Sequence, residues 1–128
     1  MGRLRILLAE DDKVNQLVIK KVVQESGFTL DIVNNGKQAV QQLIEQDYDL
    51  ILMDVNMPEM DGYTATAHIR ENLGPKSNIP IIIITCRGGL HEKAKSLLIG
   101  ANTYVPKPIN ARLLLDEITT LVVNKPLY

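Results

Sequence analysis

Residues 49–62 read Asp49-Leu-Ile-Leu-Met-Asp54-Val-Asn-Met-Pro-Glu-Met-Asp-Gly62, and this stretch decides the fold. A short apolar run, Leu50 to Met53, ends on a carboxylate, Asp54, and the chain then breaks at Pro58. An uninterrupted apolar run of this length between polar residues predicts a strand buried on both faces. Open α/β sheets place their ligand sites at the carboxyl ends of such strands, and Asp54 falls there. Aspartate is also a common turn residue, so Asp54 alone carries little weight. It gains weight because two other strand ends carry matching chemistry.

Working outward, residues 4–9 form a first strand that ends on Glu10-Asp11-Asp12. Val14, Leu17, Val18 and Val22 recur at helical spacing, and Gly27 is placed to stop that helix. Phe28, Leu30 and Ile32 alternate with polar residues in a second strand, 28–33. Asn34-Asn35-Gly36 turns the chain into a helix with Ala39, Val40, Leu43 and Ile44 on one side. Residues 49–54 are the third strand. A weakly striped helix follows over 63–72, with Ile69 its clearest core residue, and Gly74-Pro75 ends it.

Residues 79–85, with four consecutive isoleucines at 81–84, are a fourth strand buried on both faces. Ala94, Leu97, Leu98 and Gly100 describe a short helix and its stop. Residues 102–105 are the last strand, and Asn110 caps a final helix whose core face is Leu114, Leu115, Ile118, Leu121 and Val122. Five β–α alternations imply an α/β fold: a doubly wound, five-stranded parallel sheet with right-handed crossovers. The flavodoxin-like order 2-1-3-4-5 is the expectation, although pattern alone leaves the order open.

The 128 residues fit one domain, residues 1–128 with a core of about 4–123. Fourteen basic against fifteen acidic residues give a net charge of -1, which argues against direct nucleic-acid or membrane-surface attraction. A single cysteine, Cys86, excludes an internal disulfide and fits a reducing, cytoplasmic setting. The run 79–84 is far too short to span a membrane and contains Pro80, and the amino-terminal residues have no signal-peptide pattern.

With parallel strands, the carboxyl ends share one edge. Strand one brings Asp11 and Asp12, strand three Asp54, strand four Thr85, and strand five leads to Lys107. Crowded carboxylates disfavour joint ionisation, so a positive group belongs among them. A hard divalent cation is the natural candidate, and Mg²⁺ usually takes one or two carboxylates, waters and a phosphate. Asp11-Asp12 also suits a helix N-cap, and both readings can hold together. Lys107, stiffened between Pro106 and Pro108, suits a phosphoryl oxygen as a point charge. Thr85 is either a β-branched strand residue or a hydroxyl donor beside an anion.

Four fragments, in order, then carry a resemblance over about residues 4–123: Leu-Leu-Ala-Glu-Asp-Asp (7–12), Leu-Met-Asp-Val-Asn-Met-Pro-Glu-Met-Asp-Gly (52–62), Ile-Ile-Thr (83–85) and Gly-Ala-Asn-Thr-Tyr-Val-Pro-Lys-Pro (100–108). The chain resembles the receiver domains of two-component response regulators. Asp-Lys-Val-Asn-Gln (12–16) and Met-Pro-Glu-Met-Asp-Gly (57–62) look like receivers attached to hybrid histidine kinases.

The resemblance implies that Asp54 is a phosphoacceptor. It makes Asp12, Asp54 and the main-chain carbonyl of Asn56 the Mg²⁺ ligands, with Asp11 acting through water. Lys107 would contact the phosphoryl group, Thr85 would close on it, and Tyr104 would be the aromatic switch. Asn56 and Arg87 stand at the positions that tune phosphoryl loss, and Cys86 replaces the usual alanine after the threonine. The implied donor is a phosphohistidine on a histidine kinase or histidine phosphotransfer protein. The implied output surface is the last two helices and the Tyr104 strand.

No conventional enzyme is implied, only Mg²⁺-dependent self-phosphorylation and autodephosphorylation. A flavin-type phosphate binder fits poorly, because the acidic turn after strand one would repel phosphate. A phosphohydrolase using Asp54 would want a second acid where Asn56 stands. The main alternative is a receiver-like interaction module that signals without phosphate, but such a module would be expected to lack an acid, the threonine or the lysine.

Overall fold

The computed structural model describes residues 3–86 and 88–122. Five strands, β1 (Arg5–Ala9), β2 (Thr29–Val33), β3 (Leu50–Asp54), β4 (Ile81–Thr85) and β5 (Thr103–Pro106), alternate with five helices. The helices are α1 (Lys13–Glu25), α2 (Gly36–Glu45), α3 (Gly62–Asn72), α4 (Leu90–Leu98) and α5 (Ala111–Val122), and a 3-10 turn, Gly74–Asn78, follows α3. All strand pairs are parallel, in the order β2-β1-β3-β4-β5. The expected flavodoxin-like order is the observed one. The isoleucine run 81–84 is fully buried because alternate residues serve opposite faces.

Two cores result. Leu7, Ile51, Met53, Ile81 and Ile83 pack with α2 and α3, while Ile6, Leu8, Leu50, Leu52, Ile82 and Ile84 pack with α1 and α5. Among the described residues, no helix is long and apolar enough to cross a membrane.

Two helices differ from the sequence reading in the face they bury. Val14, Leu17 and Val18 are exposed on α1, where Gln16, Ile19 and Val23 are buried instead. On α4, Leu97 is exposed and Leu98 is 86% exposed, while the buried positions are Glu92 and Ser96. The anchor of α4 is therefore polar. The Tyr63 hydroxyl of α3 bonds the Glu92 carboxylate, and Lys95 Nζ lies 4.6 Å from the centroid of the Tyr63 ring. Ile44 on α2 is likewise exposed, although Ala39, Val40 and Leu43 are buried as expected.

Arg70 ties α3 to the segments that lead into β4 and β5. Its guanidinium donates to the carbonyls of Gly100 (2.7 Å), Ser77 (2.6 Å) and Ile79 (2.7 Å), and to Asn102 Oδ1 (3.0 Å). Asn102 Oδ1 in turn accepts from the Ile81 N–H at 2.9 Å, so the start of β4 and the approach to β5 share one clasp. Arg70→Met keeps much of the stem but leaves these acceptors without their donor. It should lower stability by about 2–3 kcal/mol in urea unfolding. A change under about 0.5 kcal/mol would show that the clasp is dispensable.

Candidate functional site at the carboxyl edge

Parallel strands deliver their last residues to one edge, and three side chains meet there. Asp54, the last residue of β3, is buried, and its Oδ1 lies 2.9 Å from Lys107 Nζ. The same ammonium lies 3.2 Å from Glu10 Oε1, and Glu10 is fully buried. Oxygens of Glu10, Asp11 and Asp54 all fall within 4.8 Å of one another. The register explains this grouping. Ala9 pairs with Met53, so one step further along each strand sets Glu10 beside Asp54.

The acid turn differs from the sequence expectation by one residue. The Asp12 carboxylate caps α1, accepting from the Asn15 N–H at 3.2 Å, and does not belong to the three-carboxylate group. Asp11 does belong to it, and Glu10 joins it although the sequence reading gave Glu10 no role. The signal was available: Ala9-Glu10 and Met53-Asp54 are both apolar-to-acid steps at strand ends. With three consecutive acids, the strand register is what sets Glu10, rather than Asp12, beside Asp54.

Glu10 is held on most sides. Its N–H donates to Val33 O at 3.0 Å, its Oε2 accepts from the Asp12 N–H at 3.3 Å, and its main-chain carbonyl accepts from Gln16 Nε2 at 2.6 Å. Oε1 lies within reach of the Lys107 charge but makes no hydrogen bond, and a buried oxygen left so has capacity for a cation. Burial first, and then the adjacent Asp54 carboxylate, push the Glu10 carboxyl up to about 7. For Lys107, burial lowers the pKa, but contact with Asp54 and Glu10 outweighs burial and holds it above the ordinary lysine value. The lysine therefore stays charged at neutral pH.

The structure describes all but one of the other anticipated residues. Thr85 is buried at the end of β4, and its carbonyl accepts from the Lys107 N–H at 2.7 Å. The Lys107–Pro108 bond is cis. Asn56 is exposed in the loop after Asp54, and Cys86 is exposed after Thr85. Tyr104, half-buried on β5, accepts a hydrogen bond from the Gly89 N–H at 3.1 Å, which connects β5 to the start of α4. Arg87 lies outside the described residues. Gly62 opens α3 hard against β3: a Cβ there would overlap the main-chain oxygen of Asp54.

A family model for the response regulator receiver domain matches residues 6–119. Hybrid signal transduction histidine kinase B of Dictyostelium discoideum is 41% identical over 115 residues, a match that covers 82% of this chain and 6% of that protein. The receiver domain of sensor histidine kinase PA1611 from Pseudomonas aeruginosa, solved with a magnesium ion coordinated in its active site cleft, is 34% identical. It superposes with a TM-score of 0.87, covering 95% of this chain and 99% of that one. The Ssk1 receiver domain of Saccharomyces cerevisiae, crystallised with the histidine phosphotransfer protein Ypd1, is 26% identical with a TM-score of 0.86, covering 94% and 90%. The chain therefore belongs to the response regulator receiver domains, the phosphoacceptor modules of two-component signalling.

Two outcomes follow from this geometry. A carboxyl that binds its proton more tightly folded than unfolded stabilises the fold below the ordinary glutamate range. That contribution is lost as pH rises through the folded value. Without divalent cation, the melting midpoint should fall between about pH 5 and pH 8, and Glu10→Gln should flatten the fall. An equal slope in parent and variant would contradict the assignment. Gly62→Ala should displace Asp54 and cost about 3 kcal/mol or more in urea unfolding, and a variant as stable as the parent would show that α3 can retreat without penalty.

Proposed function

We propose that Asp54 accepts a phosphoryl group from a phosphohistidine on a histidine kinase or histidine phosphotransfer protein. The observation that carries this reading is the buried Asp54 carboxylate held 2.9 Å from a charged Lys107, with Glu10 and Asp11 beside it. An Asp54 oxygen attacks phosphorus in line while the phosphorus–nitrogen bond to the donor imidazole breaks. Such transfer depends on positioning and charge neutralisation more than on proton transfer at the acceptor. Lys107 supplies part of that neutralisation to the phosphoryl oxygens, and the Thr85 hydroxyl closes on them afterwards.

The donor set, three carboxylates with a buried oxygen lacking a hydrogen bond, fits a hard divalent cation. Asp11 and Asp54 would hold Mg²⁺, with the Asn56 carbonyl and with Glu10 at hand; Asp12 remains the α1 cap. When bound, the ion supplies further charge neutralisation to the transferring group. The catalytic repertoire proposed is self-phosphorylation and autodephosphorylation, with Asn56 and Arg87 tuning the latter. A reducing, cytoplasmic setting, suggested by the lone Cys86, belongs to the same proposal.

The output surface proposed is α4, β5 and α5. Leu90 and Leu98 of α4 are each 86% exposed, and Tyr104 joins β5 to Gly89 at the head of that helix. A new group on Asp54 changes the hydrogen bonds available to Thr85 and so biases the loop leading to α4.

Intact mass after incubation with acetyl phosphate and Mg²⁺ tests the reading. The parent should gain one phosphoryl group, and Asp54→Asn or chelation should abolish the gain. Lys107→Ala should slow labelling by roughly 100-fold. Labelling of Asp54→Asn at the parent rate would overturn the assignment. Silence of the folded parent with small donors and kinases alike would favour the phosphate-independent module.

A further inference from the structure

The motif Asp12-Lys-Val-Asn-Gln16 contains one residue that neither capping nor the carboxylate group explains. Gln16 lies one turn into α1 and is only 8% exposed, on the face that packs toward the sheet. Burying a side-chain amide costs free energy unless its polar atoms are bonded. Here the amide nitrogen spends its donors on two loops: 2.6 Å to the main-chain carbonyl of Glu10 and 3.1 Å to Asn34 Oδ1. Asn34 is itself fixed, since its N–H donates to Gln38 Oε1 at 2.8 Å while Asn35 caps α2 through the Gln38 N–H. The amide is thus strung between the turn after β1 and the turn after β2.

The point at which Gln16 grips is informative. The Glu10 carbonyl belongs to the rigid peptide plane that joins Glu10 to Asp11. Clamping that oxygen sets the rotation of the plane, and with it the direction in which both α-carbons project their side chains. Those two residues supply two of the three carboxylates whose oxygens gather within 4.8 Å. We infer that Gln16 is a positioning residue, whose amide holds the Glu10–Asp11 peptide in the orientation that aims both carboxylates at the Asp54 pocket. The inference rests on the reading of that pocket as a Mg²⁺-assisted phosphoacceptor site. It explains why α1, with Val14, Leu17 and Val18 exposed, buries a glutamine beside Ile19 and Val23.

A positioning role of this kind acts on cation binding and leaves the transfer itself intact once the cation is bound. Gln16→Met keeps the length and apolar volume but donates nothing. Calorimetric titration of the whole chain with MgCl₂, with no phosphodonor present, should show a Kd raised about tenfold over the parent. The acetyl phosphate labelling rate should return to the parent value at saturating Mg²⁺. Asn34→Ala leaves the bond to Glu10 but removes the second anchor, and should raise the Kd about threefold; it decides the matter if Gln16→Met does not fold. An unchanged Kd in the folded variant, or a rate that stays low at saturating Mg²⁺, overturns the inference while the site's reading stands. A parent that neither binds Mg²⁺ nor takes up phosphate overturns the reading of the site, and the inference with it.

Discussion

The short contact between Lys107 and Asp54, with Glu10 beside both, sets the terms for the rest of the carboxyl edge. Two buried carboxylates share one ammonium, and Asp11 stands at the rim. Such an arrangement cannot carry all its charges without help. The chain has two ways to balance it. One is a proton on Glu10, whose carboxyl is raised to about 7 by burial and by Asp54. The other is a divalent cation. On the proposed reading, the crowding that raises Glu10 would also favour a positive ion, and that ion together with Lys107 would offset the charge of a phosphoryl group.

Holding like charges together requires a stiff frame, and the loops supply it by bonding to one another in sequence. Gln16 links the turn after β1 to Asn34 in the turn after β2. The Gly36 N–H then donates to Met60 O at 2.9 Å, joining the turn after β2 to the loop after β3. Gly62 closes that loop, donating to Val55 O at 2.9 Å while its missing side chain lets α3 start against Asp54. On the other flank, the Lys107 N–H is tied to Thr85 O. By contrast, α4 rests on a polar anchor, Tyr63 with Glu92 and Lys95, and presents its leucines outward. Rigid edge and weakly embedded helix meet at Tyr104, whose hydroxyl accepts from Gly89.

The strands were the most legible elements. β1, β3 and β4 hold apolar runs and β2 alternates apolar with polar residues, and five such strands separated by helical segments leave little choice of sheet type. Helices were legible through their caps, as at Asn35 and Asn110, each of which bonds the N–H three residues on. Their buried faces were less so. Val14, Leu17 and Val18 on α1, and Leu97 and Leu98 on α4, are apolar yet exposed, because periodicity counts side chains without knowing which way the sheet lies.

In the site, Asp54, Thr85 and Lys107 could be placed at one edge from strand ends alone. The choice among Glu10, Asp11 and Asp12 could not, since it depends on the register of β1 against β3. Gln16 was hidden for a related reason: a lone glutamine in a helix reads as solvated until the loops it bridges are brought together.

The central claim is that Asp54 itself carries the phosphoryl group. Its most direct test is borohydride reduction of the labelled chain followed by peptide mass mapping, because an aspartyl phosphate is reduced to homoserine while an unmodified carboxylate is not. The account predicts homoserine at position 54 and at no other aspartate, dependent on prior incubation with phosphodonor and Mg²⁺. Homoserine at Asp11 or Asp12, or a phosphorylated chain with residue 54 unchanged, would contradict it.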